Sequence, residues 1–178
     1  MNESSSDRAG HERLADWVRQ HGRAVRGYVI GVVRNEAAAD DIAQDVFRKA
    51  WQARDNYREE GQARAYLLRI ADRLAVDFLR RSGREVLLDE EGWNRWEPSG
   101  ADEGPAVALE QSEMRKQLRL ALDRLSPAQR RVLLLRFYGE MEFAEIAATL
   151  GCPLSTALSH CHRGLRALRV ALVKDEER

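Results

Sequence analysis

The chain has no net charge: 29 Lys and Arg residues are matched by 29 Asp and Glu among 178 residues. A zero balance argues against a protein that coats nucleic acid by bulk positive charge. No apolar run approaches the roughly 20 residues that cross a bilayer. The start, Met1-Asn2-Glu3-Ser4-Ser5-Ser6-Asp7, has neither the basic nor the apolar part of a secretory signal. A cytoplasmic protein without membrane insertion is expected. Cysteine is scarce, with only Cys152 and Cys161. In that compartment both are expected as reduced thiols. His160 and His162 flank Cys161, but they fall on different faces of a helix and lack the i, i+3 or i+4 spacing of helical ligand pairs. No metal site and no cofactor is therefore expected. No nucleophile–base arrangement, paired catalytic carboxylates or phosphate-cradling glycine loop stands out, so the reading is non-enzymatic.

What the chain does have is helical periodicity. Hydrophobic residues make up 44% and charged residues 33% of it, enough for modest cores in one medium or two small domains. In residues 40–51 the apolar positions are Ile42, Ala43, Val46, Phe47, Ala50 and Trp51, a single helical stripe. Asp40, Asp41, Gln44 and Asp45 lie on the other side, a face that offers carboxylates to a partner or to water. Before this helix, Leu14, Trp17, Val18, His21, Val25, Tyr28, Val29, Val32 and Val33 predict a long amphipathic helix ending near Arg34-Asn35. After it, residues 55–61 read as a polar loop. A third helix follows, with Leu67, Ile70, Ala71, Leu74 and Phe78 inward. Its other side carries Arg64, Arg69, Arg73, Arg80 and Arg81 against Asp72 and Asp77, with Tyr57 and Tyr66 nearby. Arginines interleaved with aromatics suit a single strand, pairing phosphates while rings stack on bases.

The fold class expected is all-α: an N-terminal helical bundle and a C-terminal helix-turn-helix domain joined by an acidic flexible linker. The boundaries are a disordered tail over residues 1–11, a first domain over 12–84, the linker over 85–105, a second domain over 106–173 and a tail over 174–178. The linker holds Glu85, Asp89, Glu90, Glu91, Glu97, Asp102 and Glu103 against Arg95, together with Trp93 and Trp96. Two tryptophans in such a segment are expected to dock somewhere. In the second domain Val107, Met114, Leu118, Ala121, Leu122 and Leu125 form one stripe. Ser126-Pro127-Ala128-Gln129 is a helix start with a capping box. The helix it opens carries Val132, Leu133, Leu134, Leu135 and Phe137, and Gly139 is placed as its cap. Residues 145–151 and the helix from Pro153 make a helix-turn-helix pattern, with Gly151 giving the turn its backbone freedom. Ala157, Cys161, Gly164 or Leu165, and Leu168 are expected inward. Ser155, Thr156, Ser159, His160, His162, Arg163, Arg166 and Arg169 are left outside for contact. No acidic residue occurs from Ile146 to Lys174, a field suited to the major groove.

Together these parts resemble extracytoplasmic-function (ECF) sigma factors of bacterial RNA polymerase. Residues 40–51 and 66–81 are similar to their second conserved region. Leu125-Ser126-Pro127-Ala128-Gln129-Arg130, Glu145-Ile146-Ala147 and Leu150-Gly151-Cys152-Pro153 are similar to their fourth. The resemblance implies that Asp40, Asp41, Gln44 and Asp45 dock on the clamp of the largest subunits of core RNA polymerase. It implies −10 contacts by Asn56, Tyr57, Arg58, Arg64, Tyr66, Arg69, Arg73, Arg80 and Arg81 on single-stranded promoter DNA. It implies −35 duplex contacts by Ser155, Thr156, Leu158, Ser159, His160, His162, Arg163 and Arg166. The linker would run toward the RNA exit path, an anti-sigma factor would control the protein, and it would be nucleoid-associated when active. The chain departs from such proteins at Leu158 and His160, where basic residues are usual, at Arg73 for a common Asn and at Tyr66 for a common Trp. A stand-alone helix-turn-helix regulator, or an interaction module for polymerase or anti-sigma factor without promoter activity, stays as the alternative.

Overall fold

The computed structural model describes residues 3–54, 62–82 and 105–176, with side chains over 10–54, 62–82 and 114–173. The linker up to residue 104, the loop over 55–61, Trp93, Trp96, Asn56, Tyr57 and Arg58 therefore lie outside the described residues. All regular structure among the described residues is helical. The chain divides into two compact units, Met1–Asp89 and Glu90–Arg178.

In the first unit α1 (Glu3–Val33), α2 (Glu36–Gln52) and α3 (Ala63–Arg81) pack pairwise around one core. Val25, Val29 and Val33 of α1, Ile42 and Val46 of α2, and Leu67 and Leu68 of α3 are all buried. Small residues line the contact faces: Ala39 and Ala50 on α2, Ala71 and Ala75 on α3 are fully buried. They allow close helix approach, so a few large side chains fill the remaining space. Arg34, at φ 61, takes the left-handed conformation that stops α1. Asn35 then caps α2, its Oδ1 accepting from Ala38 N at 2.8 Å.

Three features depart from the periodicity. The stretch read as a disordered tail is helical from Glu3 onward. At its inner end Gly10 lies so close to α2 that a Cβ would come within 3.0 Å of the Trp51 ring, and the His11 ring packs tilted against the same ring at 4.4 Å. Val18, expected inward, is exposed. Asp72, expected on the basic outer face of α3, is buried, and it accepts a 2.6 Å hydrogen bond from the buried Tyr28 hydroxyl. The core of α3 is accordingly Leu68, Asp72 and Ala75 with Leu67 and Ala71, while Ile70, Leu74 and Phe78 are half-buried.

In the second unit α4 (Pro105–Asp123), α5 (Pro127–Leu133), a π-helical turn (Leu134–Tyr138), α6 (Phe143–Leu150) and α7 (Leu154–Glu176) follow in order. The capping box at Ser126 forms in both directions: Gln129 N donates to Ser126 Oγ at 3.3 Å, and Ser126 N donates to Gln129 Oε1 at 3.2 Å. Arg130, buried, donates to the carbonyls of Leu122, Asp123 and Leu125 at 3.0–3.3 Å. A guanidinium thus satisfies the open end of α4. Gly139 is not a left-handed cap. The π turn takes up the extra residue, Gly139 stays right-handed with φ −80, and Glu140 carries the positive φ instead. Phe137 is consequently 61% exposed, and Met141 fills the core in its place. Met114, expected inward, is also exposed.

Gly164 sits at the α5–α7 crossing, where a Cβ would lie 2.9 Å from Leu133 Cδ1. Gly22, by contrast, has open space around its Cβ position inside α1. Gly164→Ala is expected to lower the stability of the second unit by about 1–3 kcal/mol through overpacking. Gly22→Ala is expected to raise that of the first by about 0.4–1 kcal/mol. Urea unfolding of both variants reads the two opposite shifts in midpoint.

Candidate protein and nucleic-acid interfaces

The four polar residues of the α2 face do not form one uniform surface. Arg26 of α1 reaches across to the first turns of α2. Its Nε donates to Asp40 Oδ1 at 2.6 Å and its Nη2 to Glu36 Oε1 at 2.7 Å. The hydrogen bond with Asp40 is the largest of the causes that raise the Arg26 pKa, and it outweighs the opposing effect of burial. Asp40 is therefore partly spent on joining α1 to α2. Asp45 accepts from Arg48 one turn on, at 2.9 Å. Asp41 and Gln44 are exposed. Behind them Ile42 and Val46 are buried, and Phe47 and Trp51 are half-buried. Trp51 contacts both His11, at 4.4 Å between ring centres, and the Arg54 guanidinium, which stands 4.2 Å from its ring centre.

On α3, Arg69, Arg73, Arg80 and Arg81 are exposed, and Arg64 is half-buried. Arg69, Arg73 and Arg80 share one helical face by spacing. Arg80 pairs with Asp77 at 3.0 Å, and Arg81 Nε donates to the Asp77 carbonyl at 3.2 Å. Tyr66 belongs to the same face but leans inward: its ring is 6.1 Å from that of Trp17, and burial pushes its phenol above the ordinary range. The structure therefore offers a row of guanidinium groups beside a half-sheltered ring.

The C-terminal site is the turn between α6 and α7. Gly151, at φ 63, lets the chain turn, and Cys152 N donates to the Ala147 carbonyl at 3.1 Å. Inward on α7 are Ala157, Cys161, Gly164 and Ala171; Leu165, the alternative to Gly164, is exposed. Burial raises the Cys161 thiol pKa against an opposing pull from Arg136. Ser155, Leu158, Ser159, His162, Arg163 and Arg166 are exposed, while Thr156 and His160 are half-buried. The Nδ1 of His160 is itself buried.

Arg136 is a residue that periodicity did not single out. It donates to the Met141 carbonyl at 2.9 Å, pairs with Glu142 at 3.1 Å and lies over the Phe143 ring at 5.2 Å. It thus holds the entry to α6 in place. No local signal marks it, because its partners depend on the π turn. Among the described residues no cluster of three His, Cys, Asp or Glu side chains could hold a metal ion, and no helix is long and apolar enough to cross a membrane.

A three-helix unit with an acidic face and a basic face, followed by a helix-turn-helix unit, defines a sigma-70-type architecture. Residues 17–85 match the family model for Sigma-70 region 2, and residues 115–168 that for Sigma-70 region 4. The chain belongs to the ECF subfamily of the sigma-70 family. It is 31% identical to ECF RNA polymerase sigma factor SigE of Mycolicibacterium smegmatis over 97% of its length and 66% of that protein. It is also 31% identical to ECF RNA polymerase sigma factor SigW of Bacillus subtilis, over 78% of this chain and 77% of that one. The fold is shared with CnrH, solved in complex with the cytosolic domain of CnrY, at TM-score 0.63 and 23% identity over 93% of this chain and 90% of that one. It is shared equally with RpoE of Bartonella quintana, solved with the anti-sigma factor NepR, at TM-score 0.63 and 24% identity over 88% and 96%.

The Arg26–Asp40 contact makes a measurable claim. Asp40→Asn is expected to cost the first unit about 0.2–1 kcal/mol, the range of part-exposed pairs. The cost should vanish in an Arg26→Ala background. A double-mutant cycle in chemical denaturation checks it; equal costs in both backgrounds would show that the pair is not coupled.

Proposed function

We propose that this chain acts as an ECF sigma factor that binds core RNA polymerase, reads −10 and −35 promoter elements, and starts transcription of a specific set of genes. The observation that carries the reading is the outward face of α7. Ser155, Ser159, His162, Arg163 and Arg166 stand exposed beyond the Gly151 turn, and no acid lies between Ile146 and Lys174. A helix of this kind fits the major groove, where base edges are legible and arginine can pair two acceptors of guanine. Leu158, exposed on the same helix, replaces a phosphate contact with an apolar one suited to a thymine methyl.

The acidic face of α2 is the proposed polymerase contact. Asp41, Gln44 and Asp45 present its outer edge, and Asp40 is shared with Arg26. On the −10 side, the α3 arginines with Tyr66, together with Asn56, Tyr57 and Arg58, take the non-template strand. A base drawn out of the stack costs a few kcal/mol, repaid by a pocket and stacking. The factor works by recruitment and strand capture, with no bond made or broken by its own side chains. An anti-sigma factor holds it inactive by covering these faces. The expected place of action is the cytoplasm, at the nucleoid when active. Stable co-purification with core polymerase and specific run-off transcripts test the reading. Specific duplex binding without either would favour a stand-alone regulator.

Reversing Asp41 and Asp45 to Lys is expected to abolish binding to core polymerase while circular dichroism and duplex binding by α7 stay unchanged. Arg163→Ala is expected to weaken −35 duplex binding by about 1–3 kcal/mol, the range for one base-contacting arginine. Pull-down and fluorescence anisotropy measure the two effects separately.

A further inference from the structure

The second unit carries a groove that promoter reading leaves partly unused. It has a volume of about 430 Å³ and is lined by Arg124, Arg163, Arg166, Ala167, Val170 and Ala171. Arg124 follows the C-terminal end of α4; the other five belong to α7. Its floor is apolar, with Val170 half exposed to water at 52%. Its rim is three guanidinium groups, and no carboxylate lines it. Duplex phosphates would use the rim and leave the apolar floor against a polar backbone. An acidic segment with aromatic side chains uses both: carboxylates pair with the arginines, and rings cover the floor and stack on guanidinium planes.

The chain itself contains such a segment. Residues 90–103 hold Glu90, Glu91, Glu97, Asp102 and Glu103 against the single Arg95, with Trp93 and Trp96 among them. The segment leads into the N-terminus of α4, whose 19 residues rise about 28 Å at 1.5 Å per residue. The dozen residues from Trp93 to Pro105 can span up to about 40 Å when extended, so either indole can reach the far end of α4. Covalent attachment supplies an effective concentration on the order of millimolar.

We propose that residues 90–97 dock in cis on this groove. The indoles of Trp93 and Trp96 cover Ala167, Val170 and Ala171, and Glu90, Glu91 and Glu97 face Arg124, Arg163 and Arg166. Arg163 and Arg166 also belong to the proposed −35 face, so the docked segment and duplex DNA compete for them. That consequence alone rests on the reading of α7 as a duplex reader.

Tryptophan fluorescence of the full chain tests the docking. Subtracting the spectrum of a Trp93→Phe/Trp96→Phe variant removes Trp17 and Trp51 and leaves the two indoles of interest. The difference spectrum is expected to be blue-shifted and shielded from acrylamide. Val170→Asp and Arg124→Glu, both at exposed positions, should each shift it to the red and remove the shielding. Thermal melts confirm that the variants fold. A solvent-like difference spectrum in the unmodified chain, or one that neither substitution moves, overturns the proposal. If the segment fills the groove nine-tenths of the time, replacing Glu90, Glu91 and Glu97 by Gln raises duplex affinity about tenfold. Indoles that respond as expected in a chain that binds no duplex in any variant would uphold the docking and sink the reading of α7.

Discussion

Close helix approach at small side chains is the constraint on which the rest of the structure depends. Ala39 and Ala50 on α2, Ala71 and Ala75 on α3, and Ala157 and Gly164 on α7 are buried where one helix crosses another. A helix that buries a narrow stripe of small residues can leave most of its circumference in water. That geometry suits the proposed role, in which the outer faces of α2, α3 and α7 meet other molecules. At Gly164 the margin is gone: not even a methyl group fits without moving Leu133. The position that holds α7 on its support is also the one that sets where Arg163 beside it stands.

Polar groups buried within each unit give this packing its direction. Tyr28 and Asp72 join α1 to α3 through a short hydrogen bond inside the core, and Arg130 closes the end of α4 with three carbonyls. An apolar stripe alone would tolerate rotation of one helix on another. A buried carboxylate or guanidinium tolerates little, because losing its partners leaves a desolvated charge. Arg136 does the same at the surface, tying the π turn to the start of α6. The helix α6 is thus held at both ends, by Gly151 after it and by Arg136 before it.

The zero net charge is the sum of faces with opposite charge. Acids collect on the outer side of α2, arginines on α3 and on α7. The intramolecular pairs temper these fields without cancelling them: Arg26 engages Asp40, Arg48 engages Asp45 and Arg80 engages Asp77, while Asp41, Arg69 and Arg73 stay exposed. Part-exposed pairs of this kind contribute little stability. Their larger effect is to decide which charges remain available to a partner.

Much of the architecture was legible in the amino-acid order, because helices announce themselves locally. The stripe at Ile42, Val46 and Ala50, the capping box at Ser126 and Gln129, and the left-handed Gly151 all follow from spacings within a turn or two of chain. So does the exposure of Ser155, Ser159, His162 and Arg163 on α7. What periodicity could not decide was the fate of residues whose environment comes from far along the chain. Asp72 looks like a surface acid until Tyr28, 44 residues away, is brought to it. Asp40 looks free until Arg26 reaches it from α1. The seating of Gly10 and His11 on α2 depends on Trp51, and the exposure of Phe137 depends on a π turn that no propensity encodes. The sequence alone determined the helices, their caps and which residue types line each outer face, since those depend on neighbours three and four positions apart. Only the tertiary structure decided which charges are buried, paired or left for a partner, since a charge is neutralised through space by groups that the order of residues does not place beside it.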